Sequence, residues 1–181
     1  LNEYFKKTKG FMINFKKEND IKTFKSNNIE FLYDIYLKII KPYSNYFVLN
    51  ILVIDPLNVK SKFKNKNSVD FHYDCTISQD DERTKSYFFD IDIVPECVNV
   101  IYTELPCKFE DGRLILYKYS KLLNIGKLKP SIGKMIEFNG RLCHGVENII
   151  KKNNNDTNKR ISIVLEQYSL YTLKDLKWDN F

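Results

Sequence analysis

The chain has 181 residues, 43% of them hydrophobic, and a formal net charge of +6. That length and apolar fraction suit one core, so a single domain over residues 1–181 is expected, and no apolar run approaches the roughly 18 residues of a membrane span. The 29 basic side chains are scattered among 23 acidic ones with no recognition motif, which disfavours a nucleic-acid partner and leaves the charge as a matter of solubility and association rate.

The first element expected is a helix over residues 20–41, where Ile21, Phe24, Leu32, Ile35 and Ile39 make an apolar stripe at helical spacing that Asn28 interrupts. Residues 46–54 are rich in β-branched and aromatic side chains and predict a buried strand. Together they form an N-terminal support, residues 1–60, for a core over residues 70–170. Residues 58–68 are rich in Lys and Asn and read as a loop. Strand-like stretches follow at 98–105, 113–119 and 134–138, and the polar stretch 151–159 reads as a mobile hairpin tip. Four cysteines, Cys75, Cys97, Cys107 and Cys143, lack Cys-x-x-Cys spacing, so reduced thiols are expected rather than a zinc knuckle or a disulfide framework. Cys75 and Cys143 predict packing roles, and Cys97 could meet Cys107 across a hairpin. The chain opens at Leu1 with no apolar leader, which reads as a trimmed, cytoplasmic protein.

Histidine occurs twice, in Phe71-His72-Tyr73-Asp74 and in Cys143-His144-Gly145-Val146. On a strand, side chains two apart share a face, so His72 and Asp74 can reach one metal while Tyr73 points away. His144 must then come from a second strand folded back alongside. Two imidazoles and one carboxylate leave three coordination positions open, the arrangement of mononuclear Fe(II) oxygenases; zinc is the rival metal. After His144 comes the alternating run Arg160-Ile161-Ser162-Ile163-Val164-Leu165-Glu166, in which Arg160 and Ser162 share a face. Arg160 is one of four arginines, and its guanidinium can hold the distal carboxylate of a dicarboxylic co-substrate in bidentate fashion, with the Ser162 hydroxyl as a further donor.

Taken in order, these motifs make residues 70–170 resemble the Fe(II)- and 2-oxoglutarate-dependent dioxygenase superfamily, in its prolyl-4-hydroxylase-like branch. His72-Tyr73-Asp74 matches the family's His-x-Asp, and residues 98–105 its inner strand. Asp111-Gly112-Arg113-Leu114 resembles its Gly-Gly hairpin, Pro130-Ser131-Ile132-Gly133 its Pro-x-x-Gly turn, and His144 with Arg160-Ile161-Ser162 completes the series. Asp111 replaces the hairpin's first glycine, and Tyr102-Thr103-Glu104 replaces a Tyr-Leu-Asn-like stretch, which leaves Tyr102 or Thr103 to face the co-substrate.

The resemblance implies a mainly β fold with flanking helices, the double-stranded β-helix (jelly roll, cupin-like). It implies His72, Asp74 and His144 as catalytic iron ligands, with Arg160, Ser162 and Tyr102 holding 2-oxoglutarate. Fe(II), 2-oxoglutarate and O2 would then hydroxylate a C–H bond of an amino-acid residue, free or in a peptide, releasing succinate and CO2. Asp74 at the carboxylate position disfavours halogenation, and Glu166 where base demethylases carry a second arginine disfavours that activity. Tailoring of a small natural product and a jelly-roll binding protein without turnover are the alternatives.

Overall fold

In this computed structural model the described residues are 8–58, 67–74, 76–77, 93–118 and 123–170. The chain runs β1 (Thr8–Lys16), α1 (Asp20–Ser26), α2 (Tyr33–Ile39), β2 (Tyr46–Ile54), β3 (Leu57–Asn58), β4 (Asn67–His72), β5 (Cys97–Glu104) and β6 (Phe109–Asp111). It continues with β7 (Leu114–Lys118), β8 (Leu123–Leu128), β9 (Met135–Phe138), β10 (Cys143–Glu147), β11 (Ile149–Lys151) and β12 (Arg160–Tyr168). A five-stranded sheet in the order β1-β2-β12-β5-β9 faces a four-stranded sheet, β4-β10-β7-β8, and a small sheet, β3-β11-β6, adds Ile149 and Phe109 to the core between them. Pairing is antiparallel except between β3 and β11. Among the described residues no helix is long and apolar enough to cross a membrane.

Alternation on the long strands sorts side chains between two layers. Val98, Val100 and Tyr102 of β5 and Ile54 of β2 meet Leu114, Leu116 and Val146 of the smaller sheet in the core between the sheets. The opposite faces of β1, β2 and β12 present Phe15, Phe47, Leu49, Ile163 and Leu165 to Phe24, Leu32 and Tyr36 of the helical segment. There Phe15, Phe24, Tyr36 and Phe47 pack with ring centroids 5.1–5.7 Å apart; at about 0.5–1.5 kcal/mol per pair beyond area burial, such contacts clamp the helices to the sheet. A second fastening is polar. Fully buried Gln167 accepts from the Lys41 backbone N–H at 2.7 Å and donates to Asn99 Oδ1 at 2.6 Å and the Ile39 carbonyl at 3.1 Å.

Several expectations change. Residues 20–41 are not one helix: α1 ends before Asn28, whose φ of 56° is left-handed, and a 3-10 turn at Glu30–Leu32 leads into α2. The stretch 151–159 is not a free tip, because β11 precedes it and buried Asp156 accepts backbone N–H groups from Cys107 at 2.6 Å and Asn158 at 3.0 Å. Asn67 and Ser68, expected in a loop, open β4, while the rest of that loop beyond Asn58 lies outside the described residues. Cys97 and Cys107 do not meet: Cys97 opens β5 and is buried, Cys107 lies beyond its far end and is exposed, and both are free thiols. Cys143 is buried as expected; Cys75 and Tyr119 lie outside the described residues.

Candidate functional site

Strand pairing brings the two histidines together. His144 on β10 is the register partner of His72, the last residue of β4, and their ring centroids are 4.4 Å apart. Gly145 permits that approach, since a Cβ there would lie 3.0 Å from the Val69 carbonyl oxygen and from the Phe71 ring. Asp74 does not reach the site by strand alternation, because β4 stops at His72 and Asp74 follows in irregular chain. Its two carboxylate oxygens nevertheless sit one against each histidine, Oδ1 at 3.4 Å from His72 Nε2 and Oδ2 at 3.4 Å from His144 Nε2.

Those distances are long for hydrogen bonds and close to what one metal requires. Ligand atoms at right angles on metal bonds of about 2.1 Å lie roughly 3 Å apart. One ligand atom from each of His72, Asp74 and His144 falls within 4.8 Å of the others. The second nitrogen of each ring supports the same geometry. His72 Nδ1 lies 2.7 Å from the Asp70 carbonyl and His144 Nδ1 3.1 Å from the Leu142 carbonyl. A carbonyl only accepts, so each Nδ1 carries the proton and each Nε2 is left with its lone pair toward Asp74.

The two rings differ in setting. Burial lowers the pKa of His144, with the Asp74 charge acting in the opposite direction, which favours the neutral ring that ligation needs. For His72 burial also disfavours the charge, but the neighbouring Asp74 carboxylate and the Asp70 carbonyl outweigh it and the pKa is raised. His72 is half-exposed and forms the open side of the cluster, whereas Asp74 and His144 are buried. Phe138 packs edge-on against His144 at 5.0 Å.

Deeper between the sheets lies a second cluster. Arg160, Ser162 and Tyr102 are 1%, 0% and 0% exposed, and Arg160 Nε and Nη1, Ser162 Oγ and the Tyr102 hydroxyl have no hydrogen-bond partner. The guanidinium lies over the Tyr102 ring, 5.1 Å from its centroid. Among the described residues no carboxylate pairs with Arg160. Burial lowers the Arg160 pKa and raises that of Tyr102, each partly offset by the other group. A buried cation beside two hydroxyls without partners has the chemistry to receive an anion with several acceptor atoms.

Register decides between Tyr102 and Thr103. Ser162 pairs with Tyr102 across an irregularity next to Ile161, so Tyr102 shares the inward face with Arg160 and Ser162. Thr103 is on the opposite, exposed face, where its hydroxyl donates to the Ile161 carbonyl at 3.3 Å. The tight turn after β8 holds this strand end. Gly133 has φ 75°, the Lys134 N–H bonds the Ser131 carbonyl at 3.0 Å, and the Gly133 N–H bonds the Tyr102 carbonyl at 2.9 Å. In the hairpin before β7, Asp111 takes a left-handed φ of 57° in place of a glycine, and its carboxylate accepts from Arg113 at 3.0 Å.

One group near the His72–Asp74–His144 cluster enters the sequence reading only as the residue standing where base demethylases carry a second arginine. Glu166 is 3% exposed on the inward face of β12; Thr76 donates to its Oε1 at 3.1 Å and the Tyr168 hydroxyl donates to its Oε2. Burial and then the Asp74 charge push its pKa up to about 7. Its signal in the sequence is parity: an acid at an even position of β12 shares the face of Arg160 and Ser162.

No model of a known protein family matches the chain, and no curated protein matches it. Among solved structures it is similar to IDO from Bacillus thuringiensis, 10% identical, with 81% of this chain and 56% of that one covered and a TM-score of 0.46. An oxidoreductase of the 2OG-Fe(II) oxygenase family from Burkholderia pseudomallei is 13% identical, with 93% and 69% covered and a TM-score of 0.46. A Pseudomonas putida prolyl-4-hydroxylase is 12% identical, with 91% and 74% covered and a TM-score of 0.44. The chain thus spans little more than half the length of the Bacillus protein.

Proposed function

We propose that this chain is an Fe(II)- and 2-oxoglutarate-dependent dioxygenase with a double-stranded β-helix core, which hydroxylates a C–H bond of an amino-acid residue, free or in a peptide. The observation that carries the proposal is the fully buried Arg160 guanidinium, with Nε and Nη1 unpartnered and the idle hydroxyls of Ser162 and Tyr102 on the same inward face, alongside the His72, Asp74 and His144 cluster. The donor set fits the cofactors on that ground: two neutral imidazole nitrogens and a carboxylate suit Fe(II) with open positions, and the buried cation suits a dicarboxylate.

In this assignment His72, Asp74 and His144 hold the metal and Arg160 neutralises the distal carboxylate of 2-oxoglutarate. Ser162 and Tyr102 each contribute a hydroxyl donor to that carboxylate. Bound iron and 2-oxoglutarate would supply oxygen activation, with succinate and CO2 as by-products. The protein's part is to fix the Nδ1–H tautomers through the Asp70 and Leu142 carbonyls, which frees Nε2 for the metal, to exclude water around Arg160, and to leave the half-exposed His72 side open for a substrate.

The test is an anaerobic visible spectrum of the protein with Fe(II), recorded before and after 2-oxoglutarate. A charge-transfer band that appears on addition and is lost in His72→Ala is expected. Fe(II) binding without such a band at saturating 2-oxoglutarate would overturn the co-substrate assignment; absence of 2-oxoglutarate-dependent succinate once O2 is admitted would overturn the redox one.

A further inference from the structure

We infer, on the footing of the metal site proposed above, that Glu166 is a positioning residue for Asp74, bracing the segment that leaves this ligand against β12 of the opposite sheet. The two histidines are held by ladder pairing, His144 opposite His72 and again opposite Leu116. Asp74 has no such support, because it lies beyond the end of β4. Two residues on, the Thr76 hydroxyl donates to Glu166 Oε1 at 3.1 Å, and the next residue, Ile77, is buried against Val48 and Tyr168. The other oxygen of Glu166 accepts from the Tyr168 hydroxyl.

The chemistry of the bridge is complementary. An ionised carboxylate only accepts, and both of its partners are hydroxyls that can donate. Glu166 itself cannot drift with the Asp74 segment, since its backbone is in register with Val48 on one side and Val98 on the other. The brace therefore references Asp74 to the strand that carries Arg160 and Ser162, so that metal ligand and anion anchor share one rigid element. With Asp74 3.4 Å from both imidazoles, a small displacement of its segment would separate it from at least one of them. Partners of this outer-sphere kind typically govern 10–100-fold in metal affinity.

The experiment uses the neutral end of the bridge, which leaves the charge of the site unchanged. Co(II) affinity is measured by chelator competition, together with the Co(II) visible spectrum, for the native protein, Thr76→Val, Thr76→Ser and His144→Ala; the unfolding midpoint of each metal-free protein is recorded alongside. Thr76→Val is expected to bind Co(II) roughly 10–100-fold more weakly with a changed ligand-field band. Thr76→Ser, which keeps the hydroxyl, is expected to restore both. Native affinity and an unchanged band in Thr76→Val would overturn the brace, as would equal weakening in Thr76→Ser, which would assign the effect to the methyl group. If Thr76→Val does not fold, Tyr168→Phe releases the other oxygen and is expected to weaken binding in the same direction; native affinity there overturns the brace. Failure of the metal assignment itself reads differently: His144→Ala would then bind Co(II) as the native protein does, and the brace would fall with it.

Discussion

Replacing Arg160 with methionine is expected to make the ligand-free protein more stable while abolishing its response to 2-oxoglutarate. Arg160 is 1% exposed, and its Nε and Nη1 lack partners. Each buried unsatisfied donor costs about 1–3 kcal/mol, and the Tyr102 ring 5.1 Å away returns only about 0.5–2 kcal/mol. Methionine keeps much of the length and carries no donor, so removing the buried charge is expected to stabilise by about 1–4 kcal/mol. In a protein of this size each kcal/mol moves the unfolding midpoint by about 2–4 °C, giving a rise of about 2–16 °C. The assay is thermal unfolding followed by circular dichroism, with and without 2-oxoglutarate in the presence of a redox-inert divalent metal. At 100 times its dissociation constant the ligand stabilises the native protein by about 2.7 kcal/mol, and the variant should gain nothing measurable from it. A ligand-free variant that melts below the native protein would refute the reasoning, because the guanidinium would then be satisfied internally rather than held for an anion.

A pH effect follows from Glu166, whose pKa rises from the ordinary 4.5 to about 7 through burial and the Asp74 charge. A carboxyl with a raised folded pKa binds its proton more tightly folded than unfolded. The metal-free protein should therefore be most stable below about pH 4.5 with respect to this group and lose up to roughly 3 kcal/mol as pH rises to 7. Urea unfolding across that window should show the loss, and Glu166→Gln should flatten it; an identical pH profile in the variant would dismiss the contribution. Gln167→Leu should cost roughly 2–4 kcal/mol, since it removes the partner of the half-buried Lys41 N–H and Ile39 carbonyl and leaves buried Asn99 Oδ1 with only the Cys97 thiol at 3.7 Å. A urea-derived loss below about 1 kcal/mol would show that these groups find other partners.

The grouping of His72, Asp74 and His144 is legible in the sequence because histidine is scarce and both copies sit in motifs, yet the route by which Asp74 arrives is not. Spacing of two suggests a strand, whereas β4 stops at His72 and the carboxylate returns through irregular chain. Tyr102 against Thr103 could not be settled from the sequence, since the answer lies in the register of β5 on β12, including the irregularity at Ile161 and Ser162. Edge strands were harder still. β8 leaves Leu123 and Ile125 exposed, and β1 does the same with Phe11 and Met12, so neither shows the clean alternation that marks a half-buried strand. The break in the helical segment was visible at Asn28 but not its form, because a left-handed φ at one residue turns one amphipathic stripe into two short helices.

Strand β12 carries Arg160, Ser162 and Glu166 on one face and, through Gln167, the fastening of the helices on the other. Parity therefore couples features that look independent. A one-residue deletion between Ser162 and Gln167 would turn either Arg160 and Ser162 or Glu166 and Gln167 to the wrong layer, whichever part of the strand slipped. The same deletion in the polar stretch before Arg160 would leave every inward and outward assignment of the strand intact. Insertions and deletions should thus be absorbed on the N-terminal side of Arg160 and hardly at all within the strand, which makes Arg160 the start of a segment that can vary by substitution but not by length.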